Sequence, residues 1–271
     1  MKKVILCLLS VFIVLTVSGC FSQYNKYNYE VTKGDFILYL QTPYVDGKYM
    51  VNEQYYCLVG LSEQGKQKSI ITIPKQIDGI NVKALGRETL TFPDGEITSS
   101  NLEIIYLEQH MEIVKHDLFF GCPNLEKIIC LEFEDKREEI NSISYRGLFE
   151  RTPHDEYHLR RIPIYCYSEN DYVRHWTEPA YRYANIIYYL DIDTPFYIDF
   201  YINSIIEDLP PEPTREGYKF IGWCKDAEST EEWDFENDKL GNFEYEYNEY
   251  GVEYEYYYIT KLYAKWKKIG G

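Results

Sequence analysis

The sequence predicts a mainly β chain with some α, built as a short irregular solenoid of stacked coils followed by a small second β domain. Two observations carry this. Asn101-Leu-Glu-Ile-Ile-Tyr-Leu-Glu108 returns as Asn124-Leu-Glu-Lys-Ile-Ile-Cys-Leu-Glu132 at an offset of 23 residues, a period suited to coils that bury their apolar faces only by stacking. Aromatics make up 17% of the 271 residues and 29 of them are tyrosines, a composition that favours half-buried pleated surfaces.

The chain opens with Lys2 and Lys3, the apolar run Val4 to Val17, and then Ser18-Gly19-Cys20. A basic head, an apolar stretch of about 7–15 residues and small residues at its end make an export signal, whereas a membrane span needs about 20. The cysteine after Ser18-Gly19 resembles the lipobox of bacterial lipoproteins. That resemblance implies a signal peptide over 1–19, a diacylglyceryl group on Cys20 and a chain held at the extracytoplasmic face of the cell membrane by lipid. Two acyl chains anchor stably where one holds marginally. The alternative is an ordinary cleaved signal with a cysteine beside the cut. Phe21 to Lys33 is polar and aperiodic, so 20–34 reads as a tether, with folded sequence from Asp35.

Charge narrows the partners. The formal charge is −16 and becomes −18 once residues 1–19 and their two lysines are removed. With no basic stripe to release counterions, nucleic acid is excluded, and anionic headgroups are disfavoured. Membrane contact is left to lipid on Cys20. The carboxylates are scattered and form no calcium loop. Beyond Cys20 stand Cys57, Cys122, Cys130, Cys166 and Cys224; an odd number without Cys-x-x-Cys argues against a disulfide framework and against a zinc site. No metal and no cofactor are expected.

Along the chain, Phe36 to Leu40 and Gln54 to Val59 read as strands separated by the turn Asp46-Gly47. Ile71 and Ile73, Ile105 and Leu107, Ile129 and Leu131, and Ile162 and Ile164 share one spacing and are expected to point one way. Ile71 to Gly86 and Leu118-Phe-Phe-Gly-Cys-Pro-Asn-Leu-Glu-Lys-Ile128 resemble the BspA-like leucine-rich repeat. The resemblance spans roughly Tyr55 to Tyr189 and implies a repeat domain over 35–190. Leu118 stands where that family has Ala, and Phe92 to Ser100 and Arg137 to Leu159 are longer than a regular coil. Ile162 to Tyr189, with Tyr172, Trp176 and Tyr183, resembles the helical and strand cap of such arrays.

Leu190 to Pro195 reads as a boundary. Beyond it, Leu209-Pro-Pro-Glu-Pro-Thr-Arg-Glu-Gly-Tyr-Lys-Phe-Ile-Gly-Trp223, Trp233-Asp-Phe235 and Lys261-Leu-Tyr-Ala-Lys-Trp266 resemble the Listeria-Bacteroides repeat, also called the internalin B-repeat. This implies a small β-grasp-like domain over 196–268. In its first strand Tyr218 and Phe220 are expected on one side and Ile221 and Trp223 on the other, with Gly222 leaving room for a bulge. In its last, Leu262, Ala264 and Trp266 alternate with Tyr263 and Lys265. An insertion over 241–258, rich in Tyr and Glu, predicts a two-stranded ribbon turning about Asn248 to Gly251, with aromatics on one face and glutamates on the other.

His154-Asp-Glu-Tyr-His158 places two imidazoles four residues apart, as in zinc proteases. However, the base of that motif directly follows the first His, where Asp155 stands here, and Pro153 makes a polar loop the simpler reading. Nucleophile elbows, phosphate loops and dinucleotide fingerprints do not occur, so no catalytic residue is assigned. Arg174, His175 and Trp176 read as packing and solvent-facing residues of the cap. Tyr245, Tyr247, Tyr254 and Tyr256 form the candidate ligand-contact strip, because tyrosine joins a large rigid area to a polar tip; the competing reading is that the tyrosines pack and the glutamates guard an edge strand. The expectation is a lipid-anchored bacterial surface protein with a non-catalytic binding or adhesion role toward a host or cell-envelope protein or glycan. An envelope-bound metal-dependent hydrolase using His154 and His158, and a purely structural spacer, are the alternatives.

Overall fold

In a computed structural model, residues 27–86, 97–114, 118–119, 121–133, 164–169, 172–176, 181–201, 204–247, 249–251 and 253–269 are described. Twenty strands in five sheets account for the regular structure, with two short 3-10 turns at Val51–Glu53 and Gly65–Gln67. Among the described residues there is no α-helix. The expected mainly β chain with some α, a leucine-rich-repeat solenoid closed by a helical cap, is thereby corrected. The helical component came from resemblance, whereas the residues themselves are dominated by β-branched and aromatic side chains that suit a pleated surface.

Strands β1 (Tyr29–Lys33) and β2 (Phe36–Gln41) form a hairpin around Gly34. A strand thus occupies part of the stretch read as a tether. In β2, Phe36, Leu38 and Leu40 are buried and alternate with half-buried residues. The Asp46-Gly47 turn joins β3 (Tyr44–Val45) to β4 (Lys48–Tyr49), both turn residues having positive φ, 48° and 80°, as a tight two-residue hairpin turn requires. Strand β5 (Tyr55–Leu61) lies antiparallel to β2. Then β6 (Ile70–Ile73) leaves for a second sheet, β7 (Gln76–Ile77) turns through Asp78-Gly79, and β8 (Ile80–Leu85) returns parallel to β5.

The next four strands fill the two sheets: β9 (Ile104–Leu107), β10 (Ile113–Val114) beside β8, β11 (Lys127–Cys130) and β12 (Ile164–Cys166). In β11 the register places Lys127 opposite Ile104 and Cys130 opposite Leu107, so the repeat offset of 23 residues reappears as the pairing offset. Strand β13 (Tyr172–Trp176) departs for a third sheet, and β14 (Tyr181–Tyr183) completes the parallel order β14-β12-β11-β9-β6.

Both faces of this parallel sheet are covered, which is why β9 reads Ile-Ile-Tyr-Leu and is buried throughout. Ile71, Ile73, Ile105, Leu107, Ile128, Cys130, Ile164 and Cys166 face an aliphatic core shared with β2 and β5. Ile104, Tyr106, Ile129 and Tyr165 face a second, aromatic core. Ile129 was expected beside Ile105, but it lies on the opposite face. The second copy is one residue longer than the first, and one residue of slip exchanges the two faces of a strand.

The remaining strands are β15 (Ile186–Asp191), β16 (Thr194–Asp199), β17 (Tyr218–Cys224), β18 (Phe243–Tyr247), β19 (Glu253–Tyr258) and β20 (Thr260–Lys268). They give a four-stranded sheet in the order β16-β15-β20-β17 and a three-stranded sheet in the order β13-β19-β18. The boundary placed at Leu190 to Pro195 falls inside the β15–β16 hairpin, and β15 runs parallel to β20 from Ile186 to Tyr189. The C-terminal sheet therefore recruits a strand from the segment assigned to the repeat domain. In β17, a bulge between Phe220 and Gly222, whose φ is 145°, resets the alternation. Phe220 and Trp223 then meet edge to face at 5.1 Å while Ile221 is exposed. Trp266 is fixed by its indole N–H, which donates to the Leu190 carbonyl at 2.9 Å.

Candidate functional site

The aromatic core joins the parallel sheet to the C-terminal sheets. Tyr165 of β12 stacks on Phe200 at 4.2 Å between ring centres, and Phe200 meets Tyr257 of β19 edge to face at 5.2 Å. One ion pair lies in this seam. Lys127 Nζ donates to Asp199 Oδ1 at 2.6 Å, and the Phe200 amide donates to the same oxygen at 2.6 Å. The Tyr201 hydroxyl stands 2.6 Å from the Asp208 carbonyl and 3.1 Å from Asp199 Oδ2, and Asn185 pairs reciprocally with the Tyr201 backbone at 2.9 and 3.1 Å.

Burial raises the Asp199 carboxyl above its ordinary range, and the Lys127 charge and the hydrogen bonds from Phe200 and Tyr201 oppose that shift. Burial likewise pushes the Tyr106 phenol up to about 12, aided by the Asp199 charge. Tyr188, Tyr197 and Tyr201 are raised for the same first reason. The Tyr188 hydroxyl is sealed in the core without a hydrogen-bond partner. Beside these groups lies a cavity of about 530 Å³ bordered by Ile70, Tyr106, Phe196, Tyr197, Asp199 and Leu209 among others.

On the outer side of the aromatic core stands the ribbon of β18 and β19, which forms where the insertion predicted it. Its faces differ from the expectation. Tyr245 is paired with Glu255, Tyr247 with Glu253, Glu246 with Tyr254 and Glu244 with Tyr256. Directly opposed residues of an antiparallel pair share a face, so tyrosine and glutamate are mixed across the ribbon instead of being segregated. The number of loop residues sets which positions oppose one another, and that number is not written in the alternation itself.

The candidate strip is accordingly split. Tyr245 is 49% exposed and Tyr247 68% exposed, and Tyr250 at the tip is 81% exposed. Tyr256 is buried, and its hydroxyl donates to Glu246 Oε2 at 2.7 Å. The side chain of Tyr254 lies outside the described ones. Tyr245, Tyr247 and Tyr250 are thus exposed toward the tip, Tyr258 is 41% exposed at the far end of β19, and Tyr257 roots the ribbon in the aromatic core. Tyr250 was not singled out from the sequence, although its place in the turn of a ribbon was the available signal.

Cys20, His154 and His158 lie outside the described residues, as do the side chains of Arg174, His175 and Trp176. The cysteine spacing argued against a zinc site; in the fold, a nitrogen of His110, the sulfur of Cys130 and a carboxylate oxygen of Glu132 come within 4.8 Å of one another. Cys57, Cys122, Cys130, Cys166 and Cys224 are all buried. No described helix is long and apolar enough to cross a membrane.

Comparison with known proteins bears on the C-terminal part. The family model for the Listeria-Bacteroides repeat domain matches residues 200–244. The chain carries such a repeat there, spanning β17 and reaching into β18. Two proteins of Evansella cellulosilytica, named as a membrane protein and as a Gly-rich membrane protein, are each 43% identical to this chain over 60 residues. The match takes in 20% of this chain and only 9% and 7% of those two relatives. No solved structure matches.

Proposed function

We propose that the protein is a lipid-anchored, surface-displayed binding protein of a bacterial envelope, non-catalytic, with its ligand contact at the tip of the tyrosine ribbon. The observation that carries this reading is the contrast in exposure: a chain that seals tyrosines in its core presents Tyr245, Tyr247 and Tyr250 to solvent on the single β18–β19 hairpin. Exposed aromatics grouped in this way suit recognition of a protein or glycan surface. Glu244, Glu246 and Glu249 are exposed around them, so the partner is expected to be a neutral sugar or a basic protein surface and not a polyanion. The repeat at residues 200–244 and the names of the two relatives support placement at the envelope, and Cys20 supplies the anchor.

Two measurements test the reading. Radiolabelled palmitate is expected to enter the wild-type protein and not Cys20→Ala; equal labelling of both removes the lipid anchor. A glycan and matrix-protein array is expected to show binding that disappears in the triple variant Tyr245→Ser, Tyr247→Ser, Tyr250→Ser at unchanged melting temperature. Silence of the folded wild-type chain removes adhesion and leaves a spacer.

A further inference from the structure

The C-terminal ends of two neighbouring strands of the parallel sheet use one contact twice. Just past β9, Glu108 Oε2 accepts the backbone N–H of Lys75 at 2.9 Å. Just past β11, Glu132 Oε2 accepts the backbone N–H of His110 at 2.8 Å. In each case a glutamate reaches the turn that follows the preceding strand, so the fold by itself accounts for the glutamate. The neighbours are what differ. The first contact has Lys75 as its donor and Leu107 as the last residue of β9; the second has His110 as its donor, and the position opposite Leu107 is Cys130. Only at the second, among the described residues, do an imidazole, a thiol and a carboxylate converge within 4.8 Å. Cys130 is fully buried, His110 and Glu132 are half-buried, and the His110 Nδ1 is closed to solvent.

We propose that His110, Cys130 and Glu132 form a binding site for a borderline divalent cation of the zinc class. Nitrogen, thiolate and carboxylate are the donors zinc takes, at about 2.0–2.3 Å, and a tetrahedron with such bonds sets its donors roughly 3.3–3.8 Å apart. Closing the present cluster onto an ion is then a movement of about 1 Å, within the reach of side-chain rotation. The sulfur and the imidazole select against calcium and magnesium, which prefer all-oxygen sites. Binding forms a sulfur–metal bond and releases the Cys130 proton to solvent without change of oxidation state. The ion clamps the turn after β9 to the turn after β11.

The test uses the full chain, reduced with a non-thiol reagent and titrated with cadmium and then zinc. Cadmium is expected to raise a thiolate charge-transfer band at one equivalent, and zinc to abolish it. The band is expected to be absent in Cys130→Ser. Zinc affinity is expected to fall in His110→Gln and Glu132→Gln by more than the about 10–100-fold that loss of an outer partner costs. Glu132→Gln keeps an oxygen for the His110 N–H, so it removes the charged donor while preserving the fold contact. Glu108→Gln is its matched control and is expected to leave affinity unchanged. The proposal is overturned if the folded wild-type chain gives no band, if Cys130→Ser keeps it, or if Glu108→Gln weakens zinc as much as Glu132→Gln.

Discussion

The tyrosines of the seam and those of the ribbon are one residue type put to opposite uses. In the seam, Tyr106, Tyr165, Tyr188 and Tyr197 are buried against other rings and against the Lys127–Asp199 pair. On the ribbon, Tyr245, Tyr247 and Tyr250 face water. What separates the two groups is the presence of a second apolar layer. β9 and β12 are covered on both sides, while Tyr245, Tyr247 and Tyr250 belong to neither buried core. A tyrosine count therefore says little about binding until each ring is placed.

The largest effect expected of this contrast is in the seam. Lys127→Met leaves the Asp199 carboxylate buried and uncompensated, and should cost about 3–5 kcal/mol in denaturant unfolding. The double variant Lys127→Met, Asp199→Asn should recover a substantial part of that loss; a double variant as unstable as the single one would show that the pair is not the source of the cost.

Next comes alkaline pH. The Tyr106 phenol is raised in the fold, so its contribution is fully present below its ordinary value of about 10 and is lost as pH rises through about 12. Stability should fall by on the order of 2–3 kcal/mol across that window. Ultraviolet titration of the folded chain should show seam phenols that ionise only above their ordinary value of about 10; complete ionisation of all tyrosines at that value while the chain stays folded would break the comparison.

A smaller effect of opposite sign is expected at Tyr188. Its hydroxyl is buried without a partner, so Tyr188→Phe should stabilise by about 1 kcal/mol, whereas Tyr256→Phe, which loses the bond to Glu246, should destabilise by about 0.5–1.5 kcal/mol. The smallest effect belongs to Tyr247→Ala, at 68% exposure, which should change stability by no more than about 0.5 kcal/mol. A larger loss would mean that the ring packs after all.

Much of this architecture is legible in the amino-acid order, and the failures have a common physical origin. Strand positions at Phe36, Tyr55, Ile71, Ile105, Ile164 and Tyr218 follow from apolar alternation, and the offset of 23 residues is the register of β9 against β11. Faces were misjudged wherever a single residue intervened: the longer second copy around Ile129, the bulge at Gly222, and the turn of the ribbon. Period-2 patterns are exact until one insertion inverts them. Position relative to distant chain was also out of reach. Nothing local marks β15 as a partner of β20, and the cluster of His110, Cys130 and Glu132 exists only because β9 and β11 lie side by side in the parallel sheet. Of the ribbon strip, Tyr245 and Tyr247 were legible as exposed aromatics, but the buried Tyr256 and its bond to Glu246 depend on the register of β18 against β19.

The placement of β20 has a temporal consequence. In the order β16-β15-β20-β17, the strand of this sheet that is made last is an inner strand, flanked by β15 and β17. As the chain emerges from its N-terminal end, the β15–β16 hairpin can form, but β17 has no ladder joining it to that hairpin until Thr260–Lys268 arrives. The aromatic core, which needs Leu262 and Ala264, must therefore close last and through contacts of long sequence separation, the slowest kind to form. Until then its tyrosines are exposed to each other and to any neighbouring chain, so a delay near residue 260 would hold the whole C-terminal half in an adhesive, unfinished state.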